Sequence, residues 1–246
     1  VDTITGDNAV ANTLASSAND TTLDLGDIAV TGIATIDTSN RTGAVTLVLD
    51  DADRDGGVLT NITGGVDNND TLELDAGNAA LDLSDVTLAG YQTILVNEAA
   101  DGVTLTVDND QLGAVDTITG DNAVANTLAS SANDTTLDLG DIAVTGIATI
   151  DTSNRTGAVT LVLDDADRDG GVLTNITGGV DNNDTLELDA GNAALDLSDV
   201  TLAGYQTILV NEAADGVTLT VDNDQLGAVD TITGDNAVAN TLASSA

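Results

Sequence analysis

Oxygen-bearing side chains crowd the turns of this sequence, and they are the residues best suited to chemistry. Asp and Asn cluster in three segments, DDADRDGG (50–57), GGVDNNDTL (64–72) and VDNDQLG (107–113). Calcium takes roughly six to eight oxygen ligands from carboxylates, amides and backbone carbonyls, and it tolerates irregular geometry. The sequence contains no His or Cys that would hold a transition metal. We therefore expect Ca²⁺ as the candidate cofactor of these turns.

The candidate metal ligands are the acidic and amide side chains of these three segments and of their second copies. In the first copy they are Asp51, Asp53, Asp55, Asp67, Asn69, Asp70, Asp108 and Asp110. In the second copy they are Asp165, Asp167, Asp169, Asp181, Asn183, Asp184, Asp222 and Asp224. The alternative interpretation is that these side chains form turns and a solvated surface, because Asp and Asn hydrogen-bond to their own backbone in turns.

The sequence lacks most of the side chains that enzymes commonly use for catalysis. General acid–base and nucleophilic mechanisms draw mostly on His, Cys or Lys, and none of the three occurs in this sequence. A pair of carboxylates would suffice for a glycosidase, but an identical pair would then recur in every copy of the repeat. We therefore expect that the protein is not an enzyme and has no catalytic residues.

The charge of the chain excludes two classes of partner. With 42 acidic residues and 4 basic ones, the formal net charge is −38. A surface this acidic repels phosphate backbones and anionic lipid headgroups, so neither nucleic acid nor a membrane surface is an expected partner. The chain is also not expected to be disordered, because 41 % of its residues are hydrophobic and many Val, Ile and Leu residues alternate with polar ones.

The sequence is a tandem repeat with a period of 114 residues. Residues 1–114 recur without change as residues 115–228, and residues 229–246 begin a third copy. A weaker symmetry lies inside each copy, where TTLDLGDIAVTGIATID (21–37) aligns with AALDLSDVTLAGYQTIL (79–95). Each copy therefore reads as a diverged duplication of about 57 residues, and the chain reads as a segment of a longer array.

Short β-strands are the predicted elements throughout. Segments of Thr, Val, Ile and Leu are separated by Gly, Asn and Asp turn signals, and no segment has a convincing helical period. Alternation is clearest at Val45, Leu47 and Leu49 and again in residues 103–107, which places one aliphatic face inward.

Two all-β architectures fit this pattern. The first is a β-solenoid, in which short strands stack coil on coil, and the second is a string of β-sandwich domains with one domain per 114 residues. A solenoid coil needs only small aliphatic side chains and Gly or Asn at its corners, whereas sandwich cores commonly use a buried aromatic residue. The sequence has two Tyr and no Phe or Trp. We therefore predict a β-solenoid.

Part of the sequence resembles a known family. GGVDNNDTL, and more weakly TGDNAVANTL (5–14), look like degenerate forms of the glycine-rich nonapeptide GGxGxDxUx of RTX proteins. Gly64 and Gly65 match its leading glycines, and Asn69 or Asp70 matches its acidic position. The resemblance implies parallel β-roll coils with calcium bound between them. It also implies a place among very large secreted bacterial adhesins and surface-layer proteins.

These observations together predict a structural role. We expect an extracellular or cell-surface repeat protein that forms a long stalk or filament, either an adhesin stalk or a matrix fibre, stabilised by calcium. Its expected partners are the neighbouring repeats of the same chain, with self-association into fibres, and no membrane insertion is expected in this segment. The alternative is a surface-layer lattice or a ligand-binding adhesin module.

Overall fold

The computed structural model divides the chain into two compact units, Val1–Asn126 and Thr127–Ala246. The residues that it describes are 3–7, 9–17, 21–65, 69–75, 80–97, 102–121, 125–131, 135–179, 183–189, 194–211, 216–227, 229–234 and 238–245.

The first unit consists of short strands with two short helical segments among them. Its strands are β1 (Thr3–Thr5), β2 (Thr13–Ala15), β3 (Thr22–Asp24), β4 (Ala29–Thr31), β5 (Thr35–Asp37), β6 (Thr46–Leu49), β7 (Asn61–Thr63), β8 (Thr71–Asp75), β9 (Ala80–Asp82), β10 (Thr87–Ala89), β11 (Thr93–Asn97), β12 (Thr104–Val107) and β13 (Thr117–Gly120). The helical segments are a 3₁₀ helix, η1 (Asp51–Gly57), and a single α-helical turn, α1 (Asn109–Leu112).

The second unit has the same kind of elements, and its first strand begins at the last residue of the first unit. Its strands are β14 (Asn126–Ser130), β15 (Thr136–Asp138), β16 (Ala143–Thr145), β17 (Ile147–Asp151), β18 (Thr160–Leu163), β19 (Asn175–Thr177), β20 (Thr185–Asp189), β21 (Ala194–Asp196), β22 (Thr201–Ala203), β23 (Thr207–Asn211), β24 (Thr218–Val221), β25 (Thr231–Gly234) and β26 (Thr241–Ser244). Two 3₁₀ helices, η2 (Ala166–Gly171) and η3 (Gln225–Gly227), interrupt them.

Each unit is a parallel β-solenoid with three strands to a coil, so the predicted fold is confirmed. In the first unit β3, β4 and β5 belong to three different sheets, and β6 returns to the sheet of β3. Thr22 of β3 pairs in parallel with Thr46 of β6, 24 residues later, and Thr46 pairs in turn with Thr71 of β8. The structural period is therefore a coil of about two dozen residues, and its hydrogen bonds run from one coil to the next.

The core of each coil is aliphatic. Val45, Leu47 and Leu49 are each at most 1 % exposed, which confirms the inward face predicted from their alternation. Thr46, at an outward position of β6, is half-buried. Thr suits such a pleated surface because its side chain is β-branched. Leu72 and Ile94, which follow Leu47 in the same sheet, are also fully buried. Each coil thus covers the aliphatic residues of the coil before it.

Short helical segments stand where a strand of the coil would be expected. β4 and β10 are each the last strand of their sheets, and they pack against η1 and α1 respectively. The side chain of Gln111 in α1 donates a hydrogen bond from Nε2 to the carbonyl oxygen of Val86, at 3.1 Å. A buried side-chain amide thereby satisfies a backbone carbonyl of the preceding coil.

The 114-residue copy is not a whole number of coils. Strand β1 (Thr3–Thr5) lies near the start of the first copy, and β13 (Thr117–Gly120) lies at the same place in the second copy. Both strands belong to the first unit. β1 pairs with β4, whereas β13 pairs with β11 in the sheet that contains β3, β6 and β8. The same residues therefore occupy different sheets in successive copies. The period of 114 residues belongs to the sequence, and the coil is the period of the structure.

Candidate functional site

The acidic turns form the candidate site, and several carboxylates in the other turns of the chain cap the backbone of their own turn. The carboxylate of Asp37 accepts a hydrogen bond from the backbone N–H of Ser39 at 2.9 Å. That of Asp82 accepts two hydrogen bonds from Ser84, one from the backbone N–H at 2.9 Å and one from the hydroxyl at 2.6 Å. Asp196, the second copy of Asp82, has its pKa lowered by the two equivalent hydrogen bonds from Ser198. These side chains act as turn formers.

Asp70 joins consecutive coils from a fully buried position. Its Oδ1 accepts a hydrogen bond from the backbone N–H of Val45 in the preceding coil at 2.8 Å, and its Oδ2 accepts one from Gly65 at 2.5 Å. Its own backbone N–H donates to Oε1 of Gln92 in the following coil at 3.1 Å. Asp184 repeats the arrangement with Val159, Gly179 and Gln206. A cation at either carboxylate would compete with these backbone donors.

At the corner beside Asp70, the backbones of two coils lie so close together that a side chain does not fit between them. A Cβ atom on Gly64 would lie 2.5 Å from the carbonyl oxygen of Gly90 in the next coil. Gly90 itself has a φ of +78°, which favours glycine. Gly64 is one of the two glycines that carry the resemblance to the RTX nonapeptide, and its role here is the close approach of two coils.

Each of the 3₁₀ helices η1 and η2 contains a buried carboxyl group with a raised pKa. Asp53 is 1 % exposed, and its Oδ2 accepts a hydrogen bond from the backbone N–H of Asp50 at 3.0 Å. Burial raises the pKa of Asp53 to about 7, and that of its second copy Asp167 to about 8. Oδ1 of Asp167 also accepts a hydrogen bond from the backbone N–H of Val144 in β16, at 3.4 Å. This carboxyl group anchors its 3₁₀ helix to the preceding coil.

In the third acidic segment, one carboxylate is buried and another is exposed. Asp108 is 7 % exposed, and its backbone N–H donates to Oε1 of Gln111 at 2.6 Å. Asp110 is exposed and lines a shallow surface notch together with Ser84 and Asp85. In the second unit Asp224 lines the equivalent notch. In this segment and its second copy, Asp110 and Asp224 are the predicted ligands that face solvent.

The remaining predicted ligands differ in their exposure to solvent. Asp51, Asn69 and Asn183 are exposed, while Asp165 and Asp222 are half-buried. Asp67 and Asp181, with the side chains of Asp55 and Asp169, lie outside the part of the chain that the structure describes. Within the described part, no three acidic side chains come together in a group that would hold a metal ion.

Arg41 and Tyr91 are buried polar residues that lie outside the predicted ligand set. Arg41 is 4 % exposed, and its Nε donates to Oγ of Ser16 at 2.9 Å. Arg54, in the same copy, instead forms an ion pair with Asp82, with 3.8 Å between Nη1 and Oδ2. Tyr91 is fully buried, with its hydroxyl 2.8 Å from Oγ1 of Thr38. Nothing in the local sequence separates Arg41 from Arg54, whereas the single aromatic residue of each copy was a visible sign of a special position.

Comparisons with known proteins found no similar family model, no similar curated protein and no similar solved structure. No helix within the described residues is long and apolar enough to cross a membrane.

Proposed function

We propose that this protein is a structural repeat protein that forms a long extracellular stalk or filament. One observation carries the proposal: each coil is held to the next by a parallel backbone ladder and also by buried side-chain hydrogen bonds at the corners. Asp70 is the clearest case, because it bonds to the backbone of the preceding coil and to a side chain of the following one. A protein built in this way gains length by adding coils without changing its interior.

The interior supports a mechanical role. Ile36, Ile62 and Leu72 are fully buried, and each belongs to a strand that pairs with strands on both sides. Pulling two coils apart would break a ladder of backbone hydrogen bonds and expose these side chains to water together. Such cooperative resistance suits a load-bearing element.

The extracellular location and the calcium dependence are further parts of the proposal. They draw support from the sequence resemblance to RTX proteins and from the charge of −38, which divalent cations would screen. The exposed members of the predicted ligand set, above all Asp110 and Asp224, are the residues through which calcium would act. The buried members keep the structural hydrogen bonds described above.

Electron microscopy of the purified protein tests the structural role. The proposal predicts isolated fibres of uniform width, and these should resist digestion by a protease that cleaves unfolded chains. A two-dimensional lattice would favour the surface-layer alternative. Rapid digestion of protein that has a β-rich circular dichroism spectrum would contradict a load-bearing role.

Thermal unfolding tests the calcium dependence separately. Circular dichroism melts are recorded with millimolar calcium and with a chelator, at an ionic strength held constant with sodium chloride. The proposal predicts a lower melting temperature in chelator. It also predicts a smaller calcium effect in the Asp110→Asn/Asp224→Asn double variant. Identical melts with calcium and with chelator would remove calcium from the proposal and leave the structural role in place.

A further inference from the structure

Each full copy of the repeat contains several acceptor motifs for N-linked glycans. The motif is Asn-x-Ser/Thr, where x is any residue except Pro. The motifs begin at Asn19, Asn40, Asn61 and Asn69 in the first copy and at Asn133, Asn154, Asn175 and Asn183 in the second. Asn19 and Asn133 lie outside the part of the chain that the structure describes. The other motifs differ in how the folded chain presents their Asn and Thr side chains.

Asn40 and Thr42 are both exposed, in the turn between β5 and β6. Arg41 between them is only 4 % exposed, and its Nε donates a hydrogen bond to Oγ of Ser16 at 2.9 Å. Neither the amide of Asn40 nor the hydroxyl of Thr42 forms a hydrogen bond with another described residue. The buried arginine therefore fixes the turn to the preceding coil, while the two side chains that define the motif lie on its outer surface.

The turn has open space beside it. A Cβ atom on Gly43, the next residue, would meet nothing within 4 Å. In the second copy Asn154 and Thr156 are likewise exposed on either side of the buried Arg155. A Cβ atom on Gly157 would again meet nothing within 4 Å. A bulky group on this turn thus requires no rearrangement of the packed coils.

The other described motifs are part of those packed coils. Asn61 is half-buried in β7, and its Nδ2 donates a hydrogen bond to Oγ1 of Thr60 at 2.9 Å. Asn69 is exposed, but Asp70 after it is fully buried and Thr71 is half-buried as the first residue of β8. The second copy repeats both arrangements. Among the described motifs, the one in the turn before β6 and its second copy expose both the amide and the hydroxyl.

We propose that Asn40 and Asn154 are sites of N-linked glycosylation, one in each copy of the repeat. In this reaction Nδ2 of the asparagine forms a bond to the anomeric carbon of an oligosaccharide that is carried on a lipid diphosphate. The bond from that carbon to the diphosphate oxygen breaks, the lipid diphosphate leaves, and one amide proton passes to a base of the transferring enzyme. The proposal rests on the extracellular location proposed above, because this motif marks surface loops of secreted proteins.

Glycans on this turn give the stalk two properties. Proteases cut preferentially at exposed loop tips, and a glycan covers the turn that carries it. N-linked glycans are also bulky and solubilising, so their repetition in every copy forms a hydrated layer along the chain. This layer keeps neighbouring stalks apart under conditions in which cations screen the charge that otherwise separates them.

Secretion of the full chain from a eukaryotic host that glycosylates this motif tests the proposal. Circular dichroism first confirms that the secreted protein and each variant are folded. A peptide amidase then removes the N-linked glycans and leaves Asp at each modified position, so mass spectrometry of the peptides locates the sites. Asn40→Gln/Asn154→Gln removes both acceptors. Thr42→Ala leaves the Asn40 amide in place and removes only the hydroxyl that the enzyme recognises. Asn69→Gln/Asn183→Gln is the matched control, since it replaces an exposed amide in another motif.

We expect glycans on Asn40 and Asn154 in the folded wild type, and their loss in the double variant that replaces both residues. Thr42→Ala should lose the glycan on Asn40 and keep the one on Asn154, and the control should keep both. A folded, secreted wild type without a glycan on Asn40 or Asn154 would overturn the proposal. So would a glycan on Asn40 that persists in Thr42→Ala. The fibres and protease resistance that test the structural function are measured on unglycosylated protein, so the two proposals fail independently.

Discussion

Tyr91 and Thr38 are joined side chain to side chain in the interior of the first unit, although 53 residues separate them in sequence. The tyrosine hydroxyl lies 2.8 Å from Oγ1 of Thr38, and Oγ1 itself donates to the carbonyl oxygen of Thr63 at 3.1 Å. Since the proton of Thr38 is used in that second bond, the tyrosine is the donor of the first. Burial raises the pKa of Tyr91, so its hydroxyl keeps this proton. These hydrogen bonds link three successive coils through the side chains of Tyr91 and Thr38 and the backbone of Thr63.

Tyr91→Phe should therefore destabilise the protein modestly. The variant removes the hydroxyl but leaves the bond from Thr38 to Thr63 intact, so the expected loss is about 1 kcal/mol in the free energy of unfolding. Urea titration followed by circular dichroism measures it. Tyr205→Phe, the same change in the second copy, serves as the matched comparison because Tyr205 lies 2.8 Å from Thr152. A variant as stable as the wild type would show that the linkage adds nothing beyond packing.

Gly64→Ala should be costly, and Gly43→Ala should not. A Cβ on Gly64 meets the backbone of Gly90 at 2.5 Å, so the two coils must separate, and we expect a loss of about 1–3 kcal/mol. A Cβ on Gly43 meets nothing within 4 Å. Replacing Gly43 should be neutral or should stabilise by up to about 1 kcal/mol, because alanine reduces the freedom of the unfolded chain. The difference between the two melting temperatures measures the cost of the corner contact.

Asp53→Asn should change the pH dependence of stability. Because the folded-state pKa of Asp53 is raised from 3.8 to about 7, its favourable contribution is complete at pH values below about 4. That contribution is lost as the pH rises through 7. At about 1.4 kcal/mol per pKa unit, the loss has an upper limit of about 4 kcal/mol. Asparagine carries no charge at any pH, so the variant should gain stability relative to the wild type as the pH rises from about 4 to about 7.

Asp51→Asn is the control for this experiment, since Asp51 lies in the same 3₁₀ helix but is exposed. Urea unfolding at half-unit pH intervals gives the three curves. If Asp53→Asn and the wild type lose stability in parallel across this range, the buried carboxyl group does not titrate as its surroundings imply.

Asp70→Asn tests whether the corner carboxylate is structural. The amide has one acceptor oxygen where the carboxylate has two, so one of the backbone N–H groups of Val45 and Gly65 loses its partner. We expect a loss of about 1–3 kcal/mol. The loss should be equal in calcium and in chelator if the residue serves the backbone alone. Asp110→Asn, at an exposed position, should change the stability by less than about 0.5 kcal/mol in chelator. A loss for Asp70→Asn that disappears on chelation would instead assign this side chain to a metal.

Much of the fold could be predicted from local patterns. The alternation at Leu47 and Leu49 specified an inward face because successive side chains of a strand point to opposite sides. The scarcity of aromatic residues and the abundance of Gly and Asn favoured a solenoid over a sandwich. The candidate site was predicted less well, because the sequence does not show whether an Asp side chain caps a backbone or faces solvent. Asp70 and Asp110 illustrate this, since only their neighbours in adjacent coils distinguish them.

The amino-acid sequence alone determined that this protein is an all-β repeat with an aliphatic interior, acidic turns and a period of 114 residues. The tertiary structure decided that the coil is the structural repeat, so that Thr3 and Thr117 lie in different sheets. It also decided which acidic residues join the coils and which face water. The reason is physical: alternation and turn propensity act over a few residues, whereas the partners of a corner side chain come from coils more than 20 residues away.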